Sequence, residues 1–180
     1  NEFGHCTKCQ VAFAEAQLKV GKNLSMIYTV DLFDSTILPE GTTLAVKFYK
    51  AGKELGIFAP DSASEGKYTF TLNGIAPQEM MDTLDAILAA VDTDGNVVAD
   101  LAAFKNYTVK ANLDYLLKTY ESDAKLVQLV KDIIAYGGAA QQFTGHNTDN
   151  LVSEGNEGAS TATPGEGDEY ELKQEVYDAD

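Results

Sequence analysis

The chain has 180 residues, 44% of them apolar, and a formal net charge of −15. That supplies enough apolar material for one core with tails, while the charge repels phosphate backbones and anionic lipid heads, so nucleic acid and membrane surfaces are not expected partners. The longest purely apolar run, Ala86 to Val91, falls far short of the roughly 20 residues needed to cross a bilayer, and no membrane insertion is expected.

The N-terminal segment carries His5-Cys6-Thr7-Lys8-Cys9, a C-x-x-C. Two thiolates at that spacing can grip a zinc ion from a tight turn, but a structural zinc takes about four protein ligands. The chain holds two Cys and two His, and His146 is remote in sequence. Cys6 and Cys9 are therefore candidate ligands of an incomplete metal site, one that binds zinc only with ligands from outside this chain. Residues 1–13 read as the remnant of a zinc-ribbon-like element or as a linker. A local disulfide or free thiols is the competing reading. A thioredoxin-type redox pair is disfavoured because no βαβ pattern follows. With no initial Met, basic n-region or apolar h-region, the chain is expected to start inside a longer precursor or after removal of a leader.

Ala16 to Val20 is a short strand candidate, and Leu24 to Leu32 follows with partial alternation and β-branched content. Pro39-Glu40-Gly41 marks a loop. Leu44 to Lys50 and Lys53 to Phe58 flank Ala51-Gly52, a hairpin signal. Lys67 to Leu72 alternates cleanly, with Tyr68, Phe70 and Leu72 on one face. The stretch Gln78 to Val91 is rich in helix formers, yet it runs into Asp92-Thr93-Asp94-Gly95-Asn96 and a second apolar run. A strand from about Thr83 to Val91, paired through that turn with Val97 to Leu101, accounts for the turn better than a helix does.

Beyond Tyr107 the period becomes helical. Ala111 to Tyr120 places Leu113, Leu116, Leu117 and Tyr120 on one side. Ser122 or Asp123 can cap a second helix, in which Leu126, Leu129, Val130, Ile133 and Ile134 form a stripe expected to be core. Gly137-Gly138 would let another element approach closely, and Gly145 is a candidate C-cap. Residues 153–180 hold nine acids and one Lys, −8 of the total −15, among Gly, Ser, Thr and Pro. They read as a disordered acidic linker. The expected fold is mainly β with α (α+β): an antiparallel β-sandwich, Ig-like or similar, followed by a C-terminal two-helix hairpin, with residues 14–152 as the module.

Five segments carry a resemblance. They are Gly74-Ile75-Ala76-Pro77-Gln78-Glu79-Met80, Ala90 to Asn96, Asp114-Tyr115-Leu116-Leu117, Ile134 to Gln141, and Asn147-Thr148-Asp149-Asn150-Leu151, in that order. Over about Ala14 to Val152 the chain resembles a recurring module of large extracellular proteins from gut Clostridia and related Firmicutes. The resemblance implies a bacterial, secreted or cell-surface location, flanking modules in a multidomain parent chain, and no catalytic role. It transfers no ligand-binding residues.

The chemical motifs point the same way. Asp92 to Asn96 lacks the Gly and Glu placement of an EF-hand calcium loop and reads as a plain hairpin turn, with weak calcium binding the lesser alternative. No G-x-S-x-G occurs, and a His-based nucleophilic site would have to use His5 or His146, both expected in mobile ends. No catalytic residues and no cofactor are expected. The expected function is a non-catalytic adhesion or binding module that recognises a host or matrix protein. Polysaccharide capture and a spacer without ligand are the alternatives. There are nine Tyr and no Trp, so any sugar platform would have to use Tyr. An exposed Tyr row beside a groove would favour a glycan ligand, whereas an apolar patch on an edge strand or helix face would favour a protein.

Overall fold

The computed structural model describes residues 11–20 and 23–156. Cys6, Cys9 and residues 157–180 lie outside the described residues, and with them the zinc-ribbon reading and most of the acidic linker.

Among the described residues, eight strands form two four-stranded antiparallel sheets. In chain order they are β1 (Val11–Val20), β2 (Leu24–Leu32), β3 (Thr43–Lys50), β4 (Lys53–Phe58), β5 (Ser62–Ser64), β6 (Lys67–Ile75), β7 (Leu84–Val91) and β8 (Val97–Tyr107). One sheet has the order β1-β2-β6-β5 and the other β4-β3-β7-β8. Lettered A, B, C, C′, D, E, F and G in chain order, these are the A-B-E-D and C′-C-F-G sheets of an immunoglobulin-type sandwich. Two helices follow, α1 (Val109–Thr119) and α2 (Ala124–Thr144). The expected α+β sandwich with a helical hairpin is the observed fold.

Alternation decides what is buried. Met26, Tyr28, Val30 and Leu32 of β2, Leu44, Val46 and Phe48 of β3, and Leu84, Ala86 and Leu88 of β7 point between the sheets. Antibody domains tie strands B and F with a disulfide, but β2 and β7 contain no cysteine. Aromatic packing stands in its place. The Tyr28 ring lies 5.3 Å from Phe48 and 5.8 Å from Phe104, and Phe13 lies 6.1 Å from Tyr28. Such ring pairs add about 0.5–1.5 kcal/mol each beyond the area they bury. Tyr28 is fully buried and its hydroxyl has no hydrogen-bond partner among the described residues. Burial pushes the phenol well above its ordinary range, with Tyr107 and Asp85 adding to the shift.

The strands differ from the sequence expectation at their ends. β1 begins at Val11 rather than Ala16, because Val11-Ala12-Phe13 is apolar without alternation and a bulge between Phe13 and Glu15 resets the register. β5 is three small polar or apolar residues paired with Lys67–Thr69, too short to leave a pattern. β8 runs to Tyr107, beyond the expected Leu101. Asn106 there has a positive φ of 58°, and its N–H is held by Asp85 Oδ1 at 2.7 Å. This kink turns the chain into α1, which Thr108 caps through its hydroxyl to the Ala111 N–H.

The helices sit at one pole of the sandwich. Asn112 of α1 is buried and donates through Nδ2 to the Ala16 carbonyl (3.3 Å) and the Tyr107 hydroxyl (3.2 Å), tying α1 to β1 and β8. The β6–β7 connection, with a 3-10 turn at Pro77–Glu79, packs on α2. A Cβ at Gly137 would stand 2.7 Å from Met80 Sδ and 2.8 Å from Val152 Cγ1. Both neighbours are fully buried. The two glycines thus admit the close approach their sequence implies: Met80 and Val152 at Gly137, Ser153 at Gly138. Gln141 fixes the returning chain. Its amide nitrogen donates to the carbonyls of Asn147 (3.3 Å) and Asn150 (3.1 Å), and its oxygen accepts from the Val152 N–H (2.7 Å). Asn156 still bonds the Lys131 carbonyl at 2.9 Å, so contacts with the body reach past residue 152.

The α2 stripe splits. Val130 and Ile134 are buried, Leu126 and Ile133 are half-buried against the core, and Leu129 is 52% exposed. The row that packs is Val130, Ile134, Gly137, Gly138 and Gln141. On α1, Leu113 is buried, and Tyr120 at its C-cap is exposed.

Candidate functional site

The pole opposite the helices is built from the β2–β3 loop, the β4–β5 connection and the β7–β8 turn. Register places their ends together: Thr43 pairs with Val91, Val91 with Val97, Val46 with Phe58, and Asp31 with Lys67. Between these loops lies an open groove of about 760 Å³. Its walls are Leu38 and Thr42 from the first loop, Thr43, Leu44 and Ala45 from β3, Ile57, Ala59 and Pro60 around the end of β4, Tyr68 from β6, Val91 from β7 and Gly95 from the turn. The lining is mostly apolar with a threonine rim, the makeup of a surface that recognises by fit and a few polar contacts.

The β2–β3 loop and the β7–β8 turn are held in shape by their own side chains. Asp34 accepts from the Thr36 N–H (2.8 Å) and hydroxyl (2.7 Å), which hold its carboxyl below the usual range. Thr42 donates to the Pro39 carbonyl at 2.7 Å. Asp92 Oδ1 accepts from the N–H groups of Asn96 (2.8 Å) and Asp94 (2.9 Å). The Asn96 bonds are the main reason its carboxyl is also lowered. Asp92 to Asn96 is thus a self-capped hairpin turn, with one Asp92 oxygen spent on the turn's own backbone. Among the described residues no group of three or more His, Cys, Asp or Glu is arranged to hold a metal ion.

A second hollow of about 350 Å³ lies beside the first, between Leu55, Phe58 and Ala59 on one side and Thr71, Leu72 and Asn73 of β6 on the other. Residues of β4 line both. β4 is an edge strand, and it exposes Leu55 (39%), Ile57 (41%) and Phe58 (39%). The other three edges are protected: β5 is three residues long, and β1 and β8 lie against each other.

Exposed tyrosines sit elsewhere. Tyr115 is on α1, Tyr120 is its C-cap and Tyr136 is on α2, all at the helical pole, and Tyr68 is the tyrosine in the groove wall. Tyr136 is 64% exposed and falls in an outward row with Leu129 and Phe143 at seven-residue spacing. His146 is not in a loose end: its Nε2 lies 2.9 Å from Asp82 Oδ1, joining the C-terminal end of α2 to the β6–β7 connection. No nucleophile accompanies that pair among its described hydrogen bonds.

Sequence reasoning missed the groove. Its walls come from loops some fifty residues apart in the chain, and no local pattern announces their meeting. The one available signal was topological: a B–C and F–G loop pair follows once the strand order is known.

The strand order and the appended hairpin define the class, an immunoglobulin-type sandwich extended by two helices. Comparison with protein-family models, curated proteins and solved structures finds no match to this chain. The resemblance to extracellular Firmicutes modules therefore rests on the sequence segments that carry it.

Proposed function

We propose that this chain is a non-catalytic binding module of a secreted or surface-displayed bacterial protein, and that its ligand is a host or matrix protein held in the groove at the loop pole. The observation that carries this reading is the groove itself, an apolar hollow framed by the β2–β3 and β7–β8 loops. In antibody variable domains the B–C and F–G loops of the same pole carry antigen recognition. That parallel is an analogy of fold and supports the place more than the ligand. The export and surface location rest on the sequence resemblance.

A protein ligand is favoured over a glycan by where the aromatic and apolar groups stand. The exposed tyrosines form no row beside the groove, while the edge next to it exposes three large apolar side chains. Surfaces of that kind bury against polypeptide.

The test is binding of the intact chain to a panel of immobilised extracellular matrix proteins and, in parallel, to a glycan array. Ile57→Glu places a charge in the groove wall at a position already 41% exposed, so the melting temperature should hold. The expected result is binding to a protein that Ile57→Glu abolishes. Binding to glycans, or protein binding indifferent to Ile57→Glu, would overturn the reading.

A further inference from the structure

The charges around the groove specify more than an apolar ligand. Every loop that contributes a wall also places a carboxylate next to a lining residue: Glu40 between Leu38 and Thr42, Asp61 after Pro60, Asp92 after Val91, and Asp94 before Gly95. Glu40, Asp61 and Asp94 are exposed. These loops contain no Lys or Arg. Lys47 is paired with Asp100 at 2.7 Å, and Lys67 stands on β6 in register with Asp31, alternating to the face away from Tyr68. An apolar hollow ringed by unopposed carboxylates attracts one sign of partner and repels the other.

The edge beside the hollow specifies a backbone shape. β4 has a neighbour in its sheet on one side only, so the N–H and C=O groups of its outer side face solvent from Lys53 to Phe58. Hollows lie to either side of its C-terminal end, both touching Ala59. An added strand projects alternate side chains to opposite faces, and a free edge flanked by two hollows can take both sets.

We infer that the ligand is an extended polypeptide segment with apolar residues flanked by Lys or Arg, which pairs along β4 and sets its basic flanks against Glu40, Asp61 and Asp94. This inference rests on the groove being the binding site, as proposed above, and adds the chemistry and conformation of what enters it.

The probe is a phage-displayed random peptide library panned on the intact chain, with clones remade as synthetic peptides. The expected enrichment is a short apolar core bordered by Lys or Arg. Affinity should fall several-fold between low salt and about 0.5 M salt, because the Debye length shrinks to a few ångströms. The double variant Asp61→Lys, Asp94→Lys should weaken binding roughly tenfold, as two exposed attractions become repulsions. A separate variant, Glu54→Pro, removes an N–H that the register turns outward, since Lys50–Lys53 closes the two-residue turn and Tyr49–Glu54 is the next pair, and should also weaken binding while circular dichroism reports an intact fold. Groove-dependent peptides that lack basic flanks and ignore salt would overturn the inference while leaving the groove as the binding site. Peptides indifferent to Ile57→Glu, or no enrichment, would overturn both.

Discussion

Replacing Gly137 by Ala sets two effects of known sign against each other. In an exposed helix interior the change stabilises by about 1 kcal/mol, because Ala restricts the unfolded chain and favours helix. At Gly137 the new methyl would stand 2.7 Å from Met80 Sδ and 2.8 Å from Val152 Cγ1, against an ordinary carbon contact of about 3.5–4.0 Å. Met80 and Val152 are 1% and 0% exposed, so neither has open space to retreat into. Overpacking of this kind costs about 1–3 kcal/mol. The net expectation is a loss of up to about 2 kcal/mol. At about 2–4 °C per kcal/mol for a chain of this size, thermal unfolding should shift down by several degrees. Gly138→Ala meets the Ser153 side chain instead, whose Cβ would lie 2.6 Å away. The double variant Gly138→Ala, Ser153→Gly should therefore recover most of the propensity gain, a coupling readable from a double-mutant cycle. A Gly137→Ala protein that melts higher than the parent would refute the reasoning, since it would mean that Met80 and Val152 are not seated on α2.

Four further expectations follow from the core. Tyr28→Phe removes a buried hydroxyl that has no partner among the described residues, so it should leave stability unchanged or raise it by about 1 kcal/mol in a denaturant melt; a loss of more than that would reveal a partner for the hydroxyl. Because the folded phenol is held above its ordinary value, the unfolded chain releases that proton first, so stability should begin to fall as pH rises past about 10, and ultraviolet titration should show Tyr28 ionising only with unfolding. Gln141→Ala strips three hydrogen bonds from the returning segment and should cost about 2–4 kcal/mol, with the amide of Val152 losing protection in hydrogen exchange. Ile134→Ala should cost about 2–5 kcal/mol and Ile133→Ala distinctly less, because Ile134 is buried and Ile133 only half so; equal losses would contradict the helix orientation.

The contrast between those two isoleucines shows what periodicity can and cannot give. Spacings of three and four identify α2 as a helix, but Leu129 and Val130 both satisfy the spacing, and only the rotation set by Met80 and Val152 at Gly137 decides that Val130 is buried and Leu129 exposed. Strands β2, β3, β4, β6 and β7 were legible because alternation or turn residues bound them. The Asp92–Asn96 turn even settled the ambiguous run before it in favour of a strand. β5 and the beginning of β1 were not, since Ser62-Ala63-Ser64 has no apolar face and Val11-Ala12-Phe13 has no polar one. His146 was unreadable for a different reason: its partner Asp82 is 64 positions away. The groove needed the full topology, because Leu38, Pro60 and Gly95 become neighbours only when both sheets are closed.

The entry and exit of the described chain have a mechanical consequence. Val11 starts β1 at the loop pole, and Asn156 is bonded to α2 at the helical pole. A pull between those two points runs along β1, not across it. Antiparallel hydrogen bonds lie perpendicular to the strands, so such a load stretches the whole ladder from Val11–Leu32 to Val20–Leu24 at once instead of unzipping it bond by bond. Asn112, bonded to the Ala16 carbonyl, braces the same strand from the helical side. Under tension the first strand is thus held in shear, the geometry in which a short sheet yields last.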